Sequence, residues 1–304
     1  MLSAKDRGLR PGHTGQMSPS LTLAAVTEQA QGAARVAAES AGVRVSDENS
    51  LAGFLEIEAL FNRVWLLPPG ESAIPSELLR SISHAGCNVT AARDPAGRLV
   101  GAAAAIVTPQ STSMYSLIAG VLPGISDRGV GFALKQHQRA WGLARDLTEM
   151  TWTFDPLVSR NARFNLTKLG AYASGYAVDF YGPMQGEMNA NDESDRLVAV
   201  WPLTSDESAA CSEDRPIAVE RPDFAPNDVL KLGPDGDPVL VAADGDLWCR
   251  VPADIVALRG QNPQLAAEWR RSIRSIFTDI FASGHIARGV SRDGWYRLPP
   301  GGTA

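Results

Sequence analysis

The sequence predicts a mixed α/β fold: a central, mostly antiparallel sheet flanked by helices, followed by a smaller C-terminal α+β unit. Three observations carry that expectation. Between residues 43 and 203, segments with apolar residues at helical spacing are interleaved with short strand-like runs. Hairpin signals join neighbouring strands directly, which a parallel pair does not allow. Finally, a strand ending at Val121 passes through Pro123-Gly124 into a loop with glycines two apart that opens a helix.

Taken in order, residues 1–18 are expected to be a disordered leader, and Leu21–Ala41 an Ala-rich helix stopped at Gly42. Val43–Val45 is a short strand. Leu51–Trp65 carries apolar residues at 51, 54, 55, 57, 60, 61, 64 and 65, one buried helical face, and Pro68-Pro69-Gly70 breaks it. A short helix, Pro75–His84, precedes three strands: Asn88–Arg93, Leu99–Thr108 and Ser113–Val121. Asp94-Pro95-Ala96-Gly97 makes the first connection a tight hairpin. The helix after the loop, Gly131–Ala144, keeps Val130, Ala133, Leu134, His137, Trp141 and Ala144 on one side. The fifth strand, Leu147–Phe154, alternates Glu149, Thr151, Thr153 and Asp155 with Met150, Trp152 and Phe154, as a strand lining a cleft would. A helix from Arg160 to Leu169 closes at Gly170, and strands Tyr176–Tyr181 and Leu197–Trp201 complete the first unit.

Composition narrows the class. The chain has 304 residues, 44% hydrophobic and 20% charged, with a net charge of −6, values of an ordinary water-soluble protein. An acidic surface suits a nucleic-acid partner poorly, since phosphate backbones need basic ones. Cys87, Cys211 and Cys249 are odd in number and far apart, which suggests reduced thiols in a cytoplasmic protein. No apolar run approaches the roughly 20 residues a bilayer requires, so no membrane role is expected. The scattered histidines suggest no metal site.

The glycine loop is built for an anion. Glycines let successive backbone N–H groups approach a ligand, the helix N-terminus adds partial positive charge, and Arg128 supplies a planar, permanently charged fork. A P-loop would need Gly-x-x-x-x-Gly-Lys-Ser/Thr, which is missing, and a dinucleotide fingerprint would put its third glycine at Leu134. The pattern matched at every position is Arg-x-x-Gly-x-Ala, from Arg128 through Gly131 to Ala133.

That pattern resembles the pyrophosphate-binding motif of the GNAT acyltransferase superfamily, and the order of elements resembles its fold over about Val43–Leu203. Lys168-Leu169-Gly170-Ala171 is similar to the family's helix ending. The resemblance implies a GNAT-type sheet with acyl-coenzyme A (acyl-CoA) as co-substrate. It places the coenzyme against Ala119, Val121, Arg128, Gly129, Val130, Gly131, Phe132, Ala133, Asn161 and Asn165. It also implies direct attack of an amine on the thioester, with Asp155 first and Glu149 second as candidate bases. Asp155 before Pro156 also reads as a turn or cap residue. Many members carry a tyrosine four residues before the helix-ending glycine, where this chain has Leu166. Asn165, Tyr172 or Tyr181 are the alternative donors to the departing thiolate, or the thiolate leaves unassisted, or transfer is lost. With Ser194-Asp195-Arg196 before a strand, the chain resembles a subgroup of longer bacterial proteins for which amino-acid N-succinylation has been proposed. The expected substrate is then a small amine or amino acid, in contact with Arg196, Asn189 and Tyr115. Arg196 would grip a carboxylate or pair with Asp195 or Asp192.

Beyond an expected linker at 204–216, residues 217–304 form the smaller unit. Val239–Ala242 and Leu247–Val251 flank a hairpin turn. Asn262 caps a helix from Pro263 to Ala282, and His285–Ser291 with Trp295–Leu298 make a last hairpin. The helix's apolar stripe suits packing on the first unit or a homodimer interface. Arg270, Arg271 and Arg274 lie off that stripe, as a solvated basic face by default or, alternatively, as a contact to coenzyme phosphates. The function expected is acetyl or succinyl transfer from acyl-CoA to an amine, and the alternative is a non-catalytic acyl-CoA sensor. A nucleotide-binding oxidoreductase is disfavoured by the hairpins preceding the loop.

Overall fold

A computed structural model describes residues 22–109, 111–125, 128–182 and 192–302. Its centre is a seven-stranded sheet in the order β1-β2-β3-β4-β5-β7-β6. The strands are β1 (Arg44–Asp47), β2 (Asn88–Arg93), β3 (Leu99–Val107), β4 (Ser113–Val121), β5 (Glu149–Phe154), β6 (Tyr172–Ala177) and β7 (Arg196–Pro202). Every pairing is antiparallel except β4 with β5. The mixed α/β fold and its mostly antiparallel sheet are those expected.

Helices cover both faces because β2 and β3 are apolar on both. Val89, Ala91, Ala102 and Ala104 pack with Phe54, Ile57 and Phe61 of α2 (Leu51–Val64) and Leu79 of α3 (Ser76–His84). Ala92, Val100 and Ala103 pack with Val130 and Leu134 of α4 (Val130–Leu143) on the other face. α1 (Leu23–Ser40) lies on α4; its N-cap, Thr22, accepts from the Ala25 N–H. Small side chains bring α4 close to the sheet. A Cβ on Gly101 would stand 3.0 Å from Val130 Cγ1.

The last third forms a five-stranded sheet, β11-β12-β10-β9-β8. Its strands are β8 (Val229–Leu232), β9 (Pro238–Ala243), β10 (Asp246–Arg250), β11 (Gly289–Val290) and β12 (Trp295–Leu298). It carries α7 (Ile255–Gln261) and α8 (Pro263–Ala282). The two sheets share one core: Trp269, Ile273, Phe277 and Tyr296 belong to the same buried cluster as Trp152, Leu166, Leu197 and Trp201. Ala173 bridges to Ala287 between them.

Several elements differ from the sequence expectation for local reasons. The strand expected at Tyr176–Tyr181 runs from Tyr172 to Ala177, and Asp179 has φ 45°, which turns the chain before Tyr181. The helix expected from Arg160 to Leu169 is α5 (Ser159–Arg163) continued by a wider π turn, Phe164–Lys168. Within 204–216 a helix forms, α6 (Asp206–Ser212): Ser205 Oγ accepts from the Ser208 N–H, and Asp206 and Glu207 suit its positive end. Arg270 is no solvated residue but 1% exposed. Among the described residues no helix is long and apolar enough to cross a membrane, and no cluster of His, Cys, Asp and Glu could hold a metal ion.

Candidate active site

The loop after β4 reaches α4 through Gly129, the N-cap, at φ 83°. An L side chain there costs about 1–2 kcal/mol, so the turn itself requires this glycine. No side chain caps α4 among the described residues; Ala133 N–H bonds Gly129 O at 2.9 Å, and the preceding N–H groups of Val130, Gly131 and Phe132 belong to the helix end that lacks intrahelical acceptors. Gly131 differs from Gly129. A Cβ there would meet Val121 Cγ2 at 3.7 Å and Phe164 Cζ at 4.0 Å, ordinary contacts that leave a Cβ room in the gap between the end of β4 and the π turn. Arg128 is exposed beside it. Ser126 and Asp127 lie outside the described residues.

The sheet opens next to this helix end. β4 and β5 pair only through Ser113↔Glu149, Met114↔Met150 and Tyr115↔Thr151. Beyond that point β4 continues along β3 and β5 continues along β7, leaving a wedge. On the β4 side the ladder to β3 slips, so that Leu117 is an extra residue between Ser116 and Ile118. Ala119 is exposed on the same strand. α5 and its π turn flank α4: Lys168 Nζ stands 5.0 Å from the Phe132 ring centre. There Asn165, 3% exposed, donates to Asn161 Oδ1 at 3.4 Å. Of the expected coenzyme residues, Val121, Gly131 and Phe132 thus lie beside the π turn that carries Asn165, whereas Val130 and Ala133 are buried in the core.

A polar cluster spans the wedge. Thr153 Oγ1 and Tyr181 Oη lie 3.3 Å apart. Tyr115 joins them: burial raises its pKa, hydrogen bonding to Thr153 opposes this, and Tyr181 adds to it. The Arg196 guanidinium lies 5.2 Å from the Tyr181 ring centre, and its Nη1 donates to the Asp195 carbonyl at 2.9 Å. Burial lowers the Arg196 pKa, with Asp155 and Tyr181 opposing and Arg270 and Arg259 reinforcing. Phe180 and Tyr181, in edge contact with centres 4.7 Å apart, leave an exposed aromatic rim beside it. Three residues placed at the site from sequence, Tyr115, Tyr181 and Arg196, thus meet. Thr153 completes the group, and only its place on the two-faced fifth strand pointed to it.

Asp155 stands at the open end of β5 but is fully engaged. Arg270 binds it through Nη1 to Oδ1 at 2.8 Å and Nη2 to Oδ2 at 2.9 Å, Arg259 reaches Oδ2 at 2.7 Å, and Leu157 N–H donates to Oδ1 at 2.9 Å. Burial pushes its pKa up, yet Arg270 and then Arg259 outweigh burial and hold it at about 2. Asp192 also binds both arginines, at 2.7 Å from Arg270 Nη2 and 2.8 Å from Arg259 Nη2. A second ion group follows: Arg274 binds Asp195 and Glu193, and Tyr176 Oη donates to Asp195 at 2.6 Å. Asp155 has the surroundings of a latch between β5 and the C-terminal helices. A carboxylate held at about 2 by two guanidiniums accepts a proton poorly near neutrality. The Asp195 carboxylate binds Arg274, and the Asp192 carboxylate binds Arg259 and Arg270.

The remaining candidates fall elsewhere. Glu149 sits in the first β4–β5 pair, at the closed end of the wedge. Tyr172 lies on β6, paired with Val200. His137 Nε2 is 2.9 Å from Asp47 Oδ1. Asn189 lies outside the described residues. Leu166 is wholly buried in the core.

No family model matches the chain, and no curated protein matches it. Among solved structures it is similar to the ribosomal-protein-S18-alanine N-acetyltransferase from Escherichia coli, with a TM-score of 0.43 and 13% identity over 54% of this chain and 95% of that one. It is also similar to a GNAT superfamily phosphinothricin acetyltransferase from Sinorhizobium meliloti in complex with AcCoA, at 0.44 and 16% over 53% and 88%. A putative GNAT-family acetyltransferase from Desulfovibrio desulfuricans gives 0.44 and 15% over 53% and 99%.

Proposed function

We propose that this protein is an acyl-CoA-dependent N-acyltransferase acting on a small, carboxylate-bearing amine. The observation that carries the reading is the wedge between β4 and β5, with a glycine-opened helix terminus at its mouth and the Tyr115–Thr153–Tyr181–Arg196 cluster across it. The coenzyme pyrophosphate would take the N-terminus of α4 and Arg128, where backbone donors, dipole and guanidinium add. The pantetheine arm would lie in the wedge beside Asn165. A backbone N–H of β4 near the Leu117 irregularity would polarise the thioester carbonyl. The acceptor amine would approach past the aromatic rim, its carboxylate on Arg196 and its nitrogen near Tyr115 and Tyr181. The C–N bond forms as the C–S bond breaks, and the amine attacks as the neutral species, so turnover rises with pH on the acid side. Asp155 would fix the architecture of the acceptor site without taking the proton.

Thermal unfolding with acetyl- and succinyl-CoA tests the reading. A ligand of the folded state adds about 2.7 kcal/mol at one hundred times its dissociation constant. Arg128→Ala and Gly131→Asp are expected to abolish the shift. Gly131→Asp should nevertheless leave the free protein as stable as the parent, because the site has room and an acidic residue in the first turn suits the dipole. Gly129→Ala, by contrast, is expected to cost about 1–2 kcal/mol of unfolding free energy without any ligand. A folded protein whose midpoint neither thioester moves would rule the proposal out. A shift without release of free thiol across a panel of amines would favour the non-catalytic sensor. The larger of the two shifts would identify the acyl group.

A further inference from the structure

A further cation lies buried where the two strands part. Lys135, in the second turn of α4, is 5% exposed. Its Nζ donates to Ser116 Oγ at 2.7 Å, stands 3.8 Å from Met150 Sδ, and lies 4.2 Å from the centre of the Trp152 ring. Ser116 and Trp152 are the residues immediately after the last β4–β5 pair, Tyr115↔Thr151. The ammonium therefore sits across the two strands at the point where they part. A lone buried ammonium is costly, and Met or Leu would fill the same space without that cost. Its neighbours do not explain it as an ion pair. From β4 it faces Ser116, from β5 Met150 and Trp152, and Ser116 in turn contacts Gln138 of α4 at 3.4 Å. Gln138 leads to Asn88 on β2, and Asn88 to Asp47 on β1, where His137 lies. Asp47 is the nearest carboxylate along that chain of side chains, three residues removed from the ammonium.

We propose that Lys135 is the acid that protonates the departing coenzyme A thiolate, the role for which Leu166 has no proton to give. The inference rests on the acyltransferase reading, which places the thioester in the wedge. The acceptor nitrogen bonds to the acyl carbon and releases its surplus proton to water, the C–S bond breaks with its electron pair on sulfur, and the Lys135 ammonium gives that sulfur its proton. The resulting neutral amine is the form an apolar site favours, and it recovers a proton from water after the thiol leaves. Burial alone draws the Lys135 pKa down to about 7, below the roughly 8.5 of an ordinary thiol, so the transfer runs downhill. An acid near the working pH is also the most effective one.

The test uses the full-length protein, Lys135→Met and Lys135→Gln, with acetyl-CoA as donor and a panel of L-amino acids as acceptors. Both variants are expected to bind acetyl-CoA with the parent's thermal shift. Thiol release near pH 7 should fall by about 10²- to 10⁴-fold. The parent rate should decline above about pH 7 as Lys135 loses its proton, and this alkaline limb should vanish in both variants. Gln keeps a hydrogen bond to Ser116 but has no proton to transfer. Recovery of the parent rate in Lys135→Gln would overturn the proposal in favour of a positioning role. Unchanged release and an unchanged alkaline limb in Lys135→Met would overturn it outright. No thermal shift in the parent, or a shift with no thiol release at any pH, would instead remove the acyltransferase reading, and the proton-donor role with it.

Discussion

Replacing Arg270 by methionine is expected to lower the unfolding free energy by about 3–5 kcal/mol, the cost of breaking a buried pair from one side. The guanidinium is 1% exposed and spans Asp155 and Asp192 with four of its contacts. Without it, two buried carboxylates would share Arg259. At roughly 2–4 °C per kcal/mol for chains approaching this size, the midpoint should drop by about 10 °C. The pH dependence has a definite sign. Asp155 ordinarily titrates near 3.8 and is held at about 2 in the folded chain, so its contribution, about 2 kcal/mol, is present above about pH 5 and lost as pH falls towards 2. Arg270→Met should abolish most of that acid-side slope. Adding Asp192→Asn, which restores charge balance around Asp155, should recover part of the loss, because the single variant's penalty comes from uncompensated charge. Urea unfolding of the parent, single and double variants near pH 7 and near pH 2.5 measures all of this. A loss under about 1 kcal/mol for Arg270→Met would mean that the carboxylates find water, as exposed pairs do.

Most of the sheet was legible because its signals are local. The spacing of apolar residues marked α2, the Asp94–Gly97 turn joined β2 to β3, and the glycine loop located the end of β4 and the start of α4. What failed to show in the sequence depends on contacts between distant residues. Arg270 has the helical position of a solvated residue; its burial follows only from Asp155 and Asp192, more than seventy positions away. Lys135 carries no periodic signal either, since α4 is buried on nearly every side: Lys135, Gln136, Gln138 and Arg139 are all covered. The candidate site shows the same division. Arg128, Gly131, Asn161 and Asn165 follow from motif and element order. Thr153 and Lys135 become neighbours of the wedge only because β4 and β5 stop pairing after Tyr115, a feature of strand register that no single residue encodes. Asp155 shows how a strand-end carboxylate misleads: it follows the end of β5, and its two arginine partners decide its chemistry.

Arg196→Ala is expected to cost roughly 10²- to 10³-fold in kcat/KM for carboxylate-bearing amines while leaving the thermal shift with acetyl-CoA intact. The reasoning starts from position. Arg196 opens β7 beside the wedge, its guanidinium lies 5.2 Å from the centre of the Tyr181 ring, and it is 9% exposed. A carboxylate bound by such a guanidinium gains a charge-assisted, bidentate contact, and removal of one partner from a buried pair costs about 2–5 kcal/mol. The parent should therefore prefer an amino acid over its amide by a comparable factor. In the variant both should be turned over at similar, low efficiency, because the discrimination itself lived in the guanidinium. Arg196→Lys keeps the charge but loses the planar fork, so it should fall between the two. If the group held there is instead the terminal carboxylate of a succinyl donor, the same substitution will erase a preference for succinyl- over acetyl-CoA and leave acceptor choice untouched. If Arg196 serves only to hold Tyr181 and the Asp195 carbonyl in place, amino acid and amide will lose efficiency equally. That outcome would remove carboxylate recognition from this site.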